Sequence, residues 1–169
     1  YNYAGDPFAA NIQAQTWYPP RYITAFLAGS GGWSVEVYQL EVAVHYWLTS
    51  IMMYVLLRTL VRRSTPALIG SILWTYSAFL TGFPMLQPSI LSSITWLPLL
   101  VLGVHLSITD YRWRVRGILL GGAMLALSVF GGHTQTTLQM TYLAVAYTAF
   151  VGWRNWLRWR DITWRIVAL

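Results

Sequence analysis

Two titratable side chains lie four residues apart in the first long apolar stretch of the chain. Glu41 and His45 share one face if that stretch is helical, and Tyr38 lies one turn further out. An ionisable group inside a membrane-spanning segment is costly, so each is a candidate functional residue. Two interpretations stay open: the polar stripe forms a helix–helix hydrogen bond near the outer interface, or it borders an outward-facing cavity.

The polar N-terminal stretch adds one acid and one base. Asp6 is the single acidic residue before the first apolar stretch, and its position makes it a candidate general base or metal ligand, although Gly-Asp-Pro is also ordinary turn sequence. Arg21 follows Tyr18 and two prolines. Its guanidinium could donate two hydrogen bonds to a lipid phosphate. Pairing with Asp6 and extension toward lipid headgroups are the alternatives.

A third polar group follows two glycines. His133 and Gln135 lie in the sequence Phe-Gly-Gly-His-Thr-Gln, where Thr134 is suited to capping a helix start. A helix cap does not require an imidazole, so a substrate-facing His133 is weighed against a structural one. Gln87 lies in a loop that we expect on the same side of the membrane as His133. His105 lies at the other end of its span and is interpreted as an interfacial histidine.

The three histidines do not form a recognisable cofactor site. Their expected depths differ too much for a bis-histidine haem, whereas a single axial ligand to a chlorin pigment stays open. The sequence shows no zinc-type spacing of His, Asp and Glu, and cysteine is absent. We therefore predict no metal centre from the residues alone.

The composition indicates a membrane protein. Of 169 residues, 56% are apolar and only 9% are charged, whereas soluble domains carry about 25% charged residues. So little polar surface cannot cover a soluble globule. These proportions disfavour a soluble enzyme, a disordered chain and a nucleic-acid-binding domain, so no nucleic-acid partner is expected.

The apolar pattern predicts an all-α, polytopic transmembrane helix bundle. Residues 1–34 form a polar loop segment with a short interfacial helix, and residues 154–169 form a basic interfacial segment and the start of a further helix. The absence of an initiator Met and the unfinished final apolar stretch lead us to expect a fragment of a longer polypeptide. Between the two segments we predict five spans over 35–61, 66–82, 89–109, 116–130 and 134–153.

The arginines predict the orientation of the bundle. The chain has eleven basic residues, all of them arginine. If the five spans alternate in direction, every arginine except Arg21 lies on one side, which the positive-inside rule assigns to the cytoplasm. Residues 1–34 are then extracytoplasmic.

The ordered motifs resemble those of YfhO-like bacterial membrane proteins, which belong to the polytopic glycosyltransferases of GT-C architecture. Thr134 departs from the usual Gly-His-Pro-Gln form of the last motif, but His133 and Gln135 match it. The resemblance extends over nearly the whole chain and corresponds to an N-terminal region of such proteins. It rests on Pro7-Phe8-Ala9-Ala10-Asn11, Trp17-Tyr18-Pro19-Pro20, Val44-His45, Trp96-Leu97-Pro98 and Gly132-His133-Thr134-Gln135.

The resemblance implies a bacterial inner-membrane enzyme that transfers a sugar from a polyprenyl-phosphate carrier on the outer face, with a divalent metal as a possible cofactor. The acid expected in that family would precede Tyr1, so Asp6 is only a substitute candidate for the catalytic residue. The substrate-binding candidates are Tyr18, Arg21, Gln87, His133 and Gln135.

A different class of function stays open beside the enzyme. The chain could be a structural or accessory subunit of a larger photosynthetic or respiratory membrane complex, without catalysis. Its glycine pairs at 121–122 and 131–132 would then pack against partner helices or pigments. Membrane lipids are expected partners under both hypotheses.

Overall fold

The computed structural model describes residues 10–29, 32, 34–82 and 87–167, with side chains given up to Trp156. Asp6 lies outside the described residues. Every regular element in the described part is helical. The α-helices, numbered in chain order, are α1 Pro19–Ala28, α2 Val35–Val61, α3 Ser64–Thr75, α4 Ala78–Thr81, α5 Pro88–Ile94, α6 Leu97–Thr109, α7 Arg114–Phe130 and α8 Thr134–Val167.

Three helical stretches are long and apolar enough to cross a membrane: Val35–Val61, Pro88–Thr109 and Tyr111–Phe130. The 27 residues of α2 span about 40 Å at 1.5 Å per residue, which exceeds a bilayer core of about 30 Å. The all-helical class predicted from the sequence is confirmed for the described residues, and their apolar helices agree with a membrane protein.

The other two predicted spans have different forms. The predicted span over 66–82 is divided into α3 and α4, which are separated at Tyr76 and Ser77. The helix predicted over 134–153 continues to Val167, so the basic segment extends α8 instead of forming a separate element. Neither region is among the three stretches that are long and apolar enough to cross a membrane.

Helices α5 and α6 together form the centre of the bundle. Residues 91–98 are all buried, and α6 packs against α2, α7 and α8. The helix is interrupted at Thr95 and Trp96 because Pro98, near the start of α6, has no N–H to donate to the turn before it.

The closest helix pair is α6 with α7. A Cβ atom added to Gly103 would lie 2.5 Å from the backbone nitrogen of Gly121, and one added to Gly117 would lie 2.7 Å from the carbonyl oxygen of Gly103. Small residues let two helix backbones approach in this way. Gly121 therefore packs within the chain instead of facing a partner helix.

Candidate functional site

The N-terminal segment folds onto one end of the helix bundle. A short 3₁₀ turn at Ile12–Ala14 begins where the Asn11 side chain accepts a hydrogen bond from Gln13 N at 3.0 Å. Gln15 then adopts a left-handed conformation, and its buried amide Nε2 donates to the carbonyl oxygen of Gly131 at 2.6 Å. This bond fixes the segment to the turn between α7 and α8.

Tyr18 is the centre of a buried polar network. Its side chain is 0% exposed. Its hydroxyl lies 2.8 Å from His45 Nε2 on α2, and Trp96 Nε1, from the break between α5 and α6, donates to it at 3.0 Å. The Ser92 carbonyl oxygen lies 3.3 Å away. One phenol thus joins the N-terminal segment, α2 and the central helix.

With a neutral His45 ring, the backbone contact of Nδ1 assigns the donor and the acceptor of the bond between His45 and Tyr18. His45 Nδ1 lies 2.7 Å from the carbonyl oxygen of Glu41, which only accepts, so Nδ1 carries the proton and a neutral ring accepts at Nε2. The Tyr18 hydroxyl then donates to His45 and accepts from Trp96, and the Ser92 carbonyl oxygen is a second, more distant acceptor. Burial raises the pKa of the Tyr18 phenol well above its ordinary value, so the phenol stays protonated.

An ion pair lies beside the network. Arg21 Nε on α1 lies 3.4 Å from Glu41 Oε1 on α2, and Arg21 Nη1 donates to the Ala14 carbonyl oxygen at 3.1 Å. Arg21 is about a quarter exposed, whereas Glu41 is buried. Among the described residues, Glu41 Oε2 is a buried oxygen without a hydrogen-bond partner. The guanidinium therefore compensates a buried carboxylate.

His133 lies in an open cleft of about 500 Å³ on the same end of the molecule. Its Nδ1 accepts a hydrogen bond from the backbone nitrogen of Thr136 at 3.2 Å, so it caps the start of α8 and a neutral ring carries its proton on Nε2. The cleft wall consists of polar side chains and backbone from the N-terminal segment and the start of α8. The lining residues are Ala10, Asn11, Ile12, Gln13, Gly132, His133, Thr134 and Gln135.

Gly132 holds this cleft together. Its φ of +88° lies in the left-handed region, and a Cβ atom there would lie 2.5 Å from the carbonyl oxygen of Ile12. Glycine is therefore required by both conformation and space. With Gly131 packed against Ser93, this glycine pair is engaged within the chain.

The structure separates the predicted site residues into two groups. Tyr18, Arg21, Glu41 and His45 form the buried network and its ion pair, whereas His133 and the exposed Gln135 line the cleft. Tyr18 has a supporting position instead of the ligand-facing one expected, because it is fully buried.

The remaining two predicted residues lie apart from these groups. Tyr38 is half-buried on α2, one turn before Glu41. Gln87 is half-buried and precedes α5, where its side chain makes no capping hydrogen bond.

Two residues of the site were missed as site residues by the sequence reasoning. Trp96 supplies the second hydrogen bond to Tyr18, and Gln15 fixes the segment to the bundle. A signal existed for Trp96, which lies in the Trp-Leu-Pro motif at the break. Gln15 is one of several amides in a polar stretch, and nothing in the local pattern distinguishes it.

The described residues at this end do not form a metal-ligand set. No group of three His, Asp or Glu side chains within the described ranges lies close enough to hold an ion. Glu41 is already paired with a guanidinium, whose charge would repel a divalent cation. The described residues at this end therefore do not fit a divalent metal.

The sequence matches no known protein-family model, and it has no detectable similarity to a curated protein or a solved structure.

Proposed function

We propose that this chain is the donor-binding region of a GT-C-like glycosyltransferase of the bacterial inner membrane. In this proposal the chain crosses the membrane five times and residues 1–34 are extracytoplasmic. The enzyme transfers a sugar from a polyprenyl-phosphate donor to an acceptor on that face. The His133 cleft receives the sugar, and the buried network fixes the wall of the cleft.

The observation that carries the proposal is the composition of the cleft. Asn11, Gln13 and Gln135 bring side-chain amides to its wall, and His133 brings an imidazole whose proton lies on Nε2. Amides and imidazole N–H groups both suit hydroxyl groups, which donate and accept hydrogen bonds. The cleft is also open, which suits a sugar that is still attached to its carrier lipid.

The charge distribution supports the proposed direction of the bundle. Among the described arginines, Arg21 lies at the end that holds the cleft, and it is paired with Glu41. Arg62 and Arg154 line a second cleft near the last turns of α2 and α6, at the opposite end. The positive-inside rule would place that second end in the cytoplasm.

The test is transfer of a radiolabelled sugar from a polyprenyl-phosphate donor in membranes that contain the protein. His133→Asn is the informative variant, because Asn is a good helix cap but lacks the Nε2 donor. Loss of a hydrogen bond to a substrate hydroxyl costs about 1–3 kcal/mol when a buried polar group is left unpaired, which lowers kcat/KM by about 5- to 150-fold. We expect a loss in this range for His133→Asn and for Gln135→Ala.

The matched control is Gln139→Ala. Gln139 is exposed one turn further along α8 and does not line the cleft, so transfer by this variant should equal that of the wild type. If His133→Asn and Gln135→Ala both transferred sugar at the wild-type rate, the cleft would not be the substrate site.

The second candidate function is a non-catalytic subunit of a membrane complex. The observation that favours it is that Tyr18, His45 and Trp96 pair with one another inside the protein, which is the behaviour of a structural core. Both ring nitrogens of His45 are engaged, so His45 is not suited to ligate a pigment. Wild-type membranes without any transfer activity would support this second function.

A further inference from the structure

A second polar cleft lies at the opposite end of the bundle, where three helices meet. It has a volume of about 750 Å³ and is bounded by the end of α2, the end of α6 and the middle of α8. Its lining is rich in hydrogen-bonding and basic side chains. The polar and charged members are Thr59, Arg62, His105, Thr109, Asp110, Tyr147, Arg154 and Asn155.

Two arginine residues from distant parts of the chain line this cleft. Arg62 follows the last turn of α2 in a left-handed conformation, with its backbone nitrogen bonded to the Arg58 carbonyl oxygen at 3.0 Å. Arg154 lies on α8. The ion pair between described residues joins Arg21 and Glu41 at the other end, and neither cleft arginine forms an ion pair with a described carboxylate.

One carboxylate also lines the cleft, and it belongs to the turn after α6. Asp110 Oδ1 accepts a hydrogen bond from the backbone nitrogen of Arg112 at 2.9 Å, so the side chain caps that turn. Two arginines and one aspartate leave a formal charge of +1 at the cleft. This balance favours an anionic ligand over a cation.

Neutral hydrogen-bonding groups complete the wall. The Tyr147 hydroxyl lies 2.9 Å from His105 Nδ1, which fixes a phenol and an imidazole side by side. Asn155 lies one residue beyond Arg154 on α8 and offers an amide. One planar guanidinium group can donate two parallel hydrogen bonds to a phosphate group. Neutral donors can then bond to the remaining phosphate oxygens.

We propose that this cleft binds a phosphate group, carried either by an anionic lipid headgroup or by a soluble phosphate. The inference is independent of the sugar-transfer proposal, because it concerns the other end of the bundle. The simpler explanation of the two arginines is compensation of the partial negative charges at the carboxyl ends of α2 and α6. That explanation requires no ligand, so binding measurements separate the two.

The first arm of the test uses the purified protein in phosphatidylcholine nanodiscs that contain increasing amounts of phosphatidylglycerol, and native mass spectrometry counts the lipids retained. The second arm adds inorganic phosphate to protein in pure phosphatidylcholine. Saturable retention of phosphatidylglycerol shows that the ligand is a lipid headgroup. A saturable increase in the melting temperature on addition of inorganic phosphate shows that the ligand is a soluble phosphate. Either result supports the site.

The variant Arg62→Gln/Arg154→Gln should weaken the binding by about tenfold or more, because it removes two charge-assisted donors. The matched control is Arg58→Gln/Arg114→Gln, which removes the same charge from exposed arginines that do not line the cleft. It should change binding less than about twofold, since surface charges are screened by salt.

Equal losses in the two double variants would overturn the proposal, because binding would then follow net charge alone. The absence of saturable binding by the wild type in both arms would also overturn it. If the glutamine variant does not fold, Arg62→Lys/Arg154→Lys keeps the charges and removes the paired donors. Binding by the lysine variant should fall below that of the wild type, and unchanged binding would contradict the site.

Discussion

Replacing Tyr18 by Phe removes one oxygen atom from the centre of the buried network and leaves the ring packing intact. Trp96 Nε1 then loses its acceptor and His45 Nε2 loses its donor. A buried polar group without a partner costs about 1–3 kcal/mol, so two of them should lower the free energy of unfolding by about 2–6 kcal/mol. For a chain of this length the melting temperature should fall by roughly 4–24 °C.

The assay is thermal unfolding of the purified protein in detergent, followed by circular dichroism. Tyr22→Phe is the matched control, because it makes the same chemical change four residues further along. Tyr22 is 55% exposed, and its hydroxyl donates to the Thr16 carbonyl oxygen at 3.0 Å, where solvent can replace it. This variant should lie within about 0.5 kcal/mol of the wild type.

A double-mutant cycle isolates the pair interaction. Trp96→Phe alone removes the donor to Tyr18, and the combination with Tyr18→Phe should be less damaging than the sum of the single changes by about 1 kcal/mol. Equal effects of Tyr18→Phe and Tyr22→Phe, or strict additivity in the cycle, would refute the network as the feature that holds the N-terminal segment.

Three further predictions concern Gly132, the direction of the chain in the membrane and the titration of Tyr18. Gly132→Ala should destabilise the protein by about 2–4 kcal/mol, because its new Cβ would meet a carbonyl oxygen at 2.5 Å in a left-handed residue; Gly122→Ala, in open space within a helix, should be neutral or stabilising in the same thermal assay. The chain lacks cysteine, so a membrane-impermeant maleimide should label Gln13→Cys in intact cells and Thr65→Cys only after permeabilisation; the reverse pattern would contradict the proposed direction. The raised pKa of Tyr18 keeps its phenol protonated in the folded protein at a pH where the same phenol ionises in the unfolded chain, near 10.0. The free energy of unfolding should therefore fall more steeply above about pH 10 for the wild type than for Tyr18→Phe.

The long apolar helices could be predicted from the sequence because hydropathy is a local property. The three stretches that can cross a membrane correspond to predicted spans, with ends that differ by a few residues. The continuation of α8 to Val167 was also within reach, since residues 154–167 contain no Gly or Pro and arginine favours helices. The basic character of that segment suggested a separate element, but charge alone does not end a helix.

The candidate site was predictable only in part. The four-residue spacing of Glu41 and His45 places them on one face, and both are buried there together with Thr49. Their partners were not predictable, because Tyr18 lies 27 residues from His45 and 78 residues from Trp96 along the chain. No local period encodes such contacts. The sequence suggested a lipid phosphate and Asp6 as partners of Arg21, but not Glu41.

The network also answers a problem that apolar helices have in a membrane. Lipid tails are as apolar as the helix surfaces, so burial alone does not fix how helices rotate or slide against one another. Directional hydrogen bonds do fix it: His45 on α2 and Trp96 at the break between α5 and α6 meet one phenol oxygen. A shift of either helix by one residue, about 1.5 Å and 100°, would break a bond. The Gln15 bond to Gly131 has the same effect at the neighbouring turn, because it fixes the N-terminal segment against the residues that precede His133.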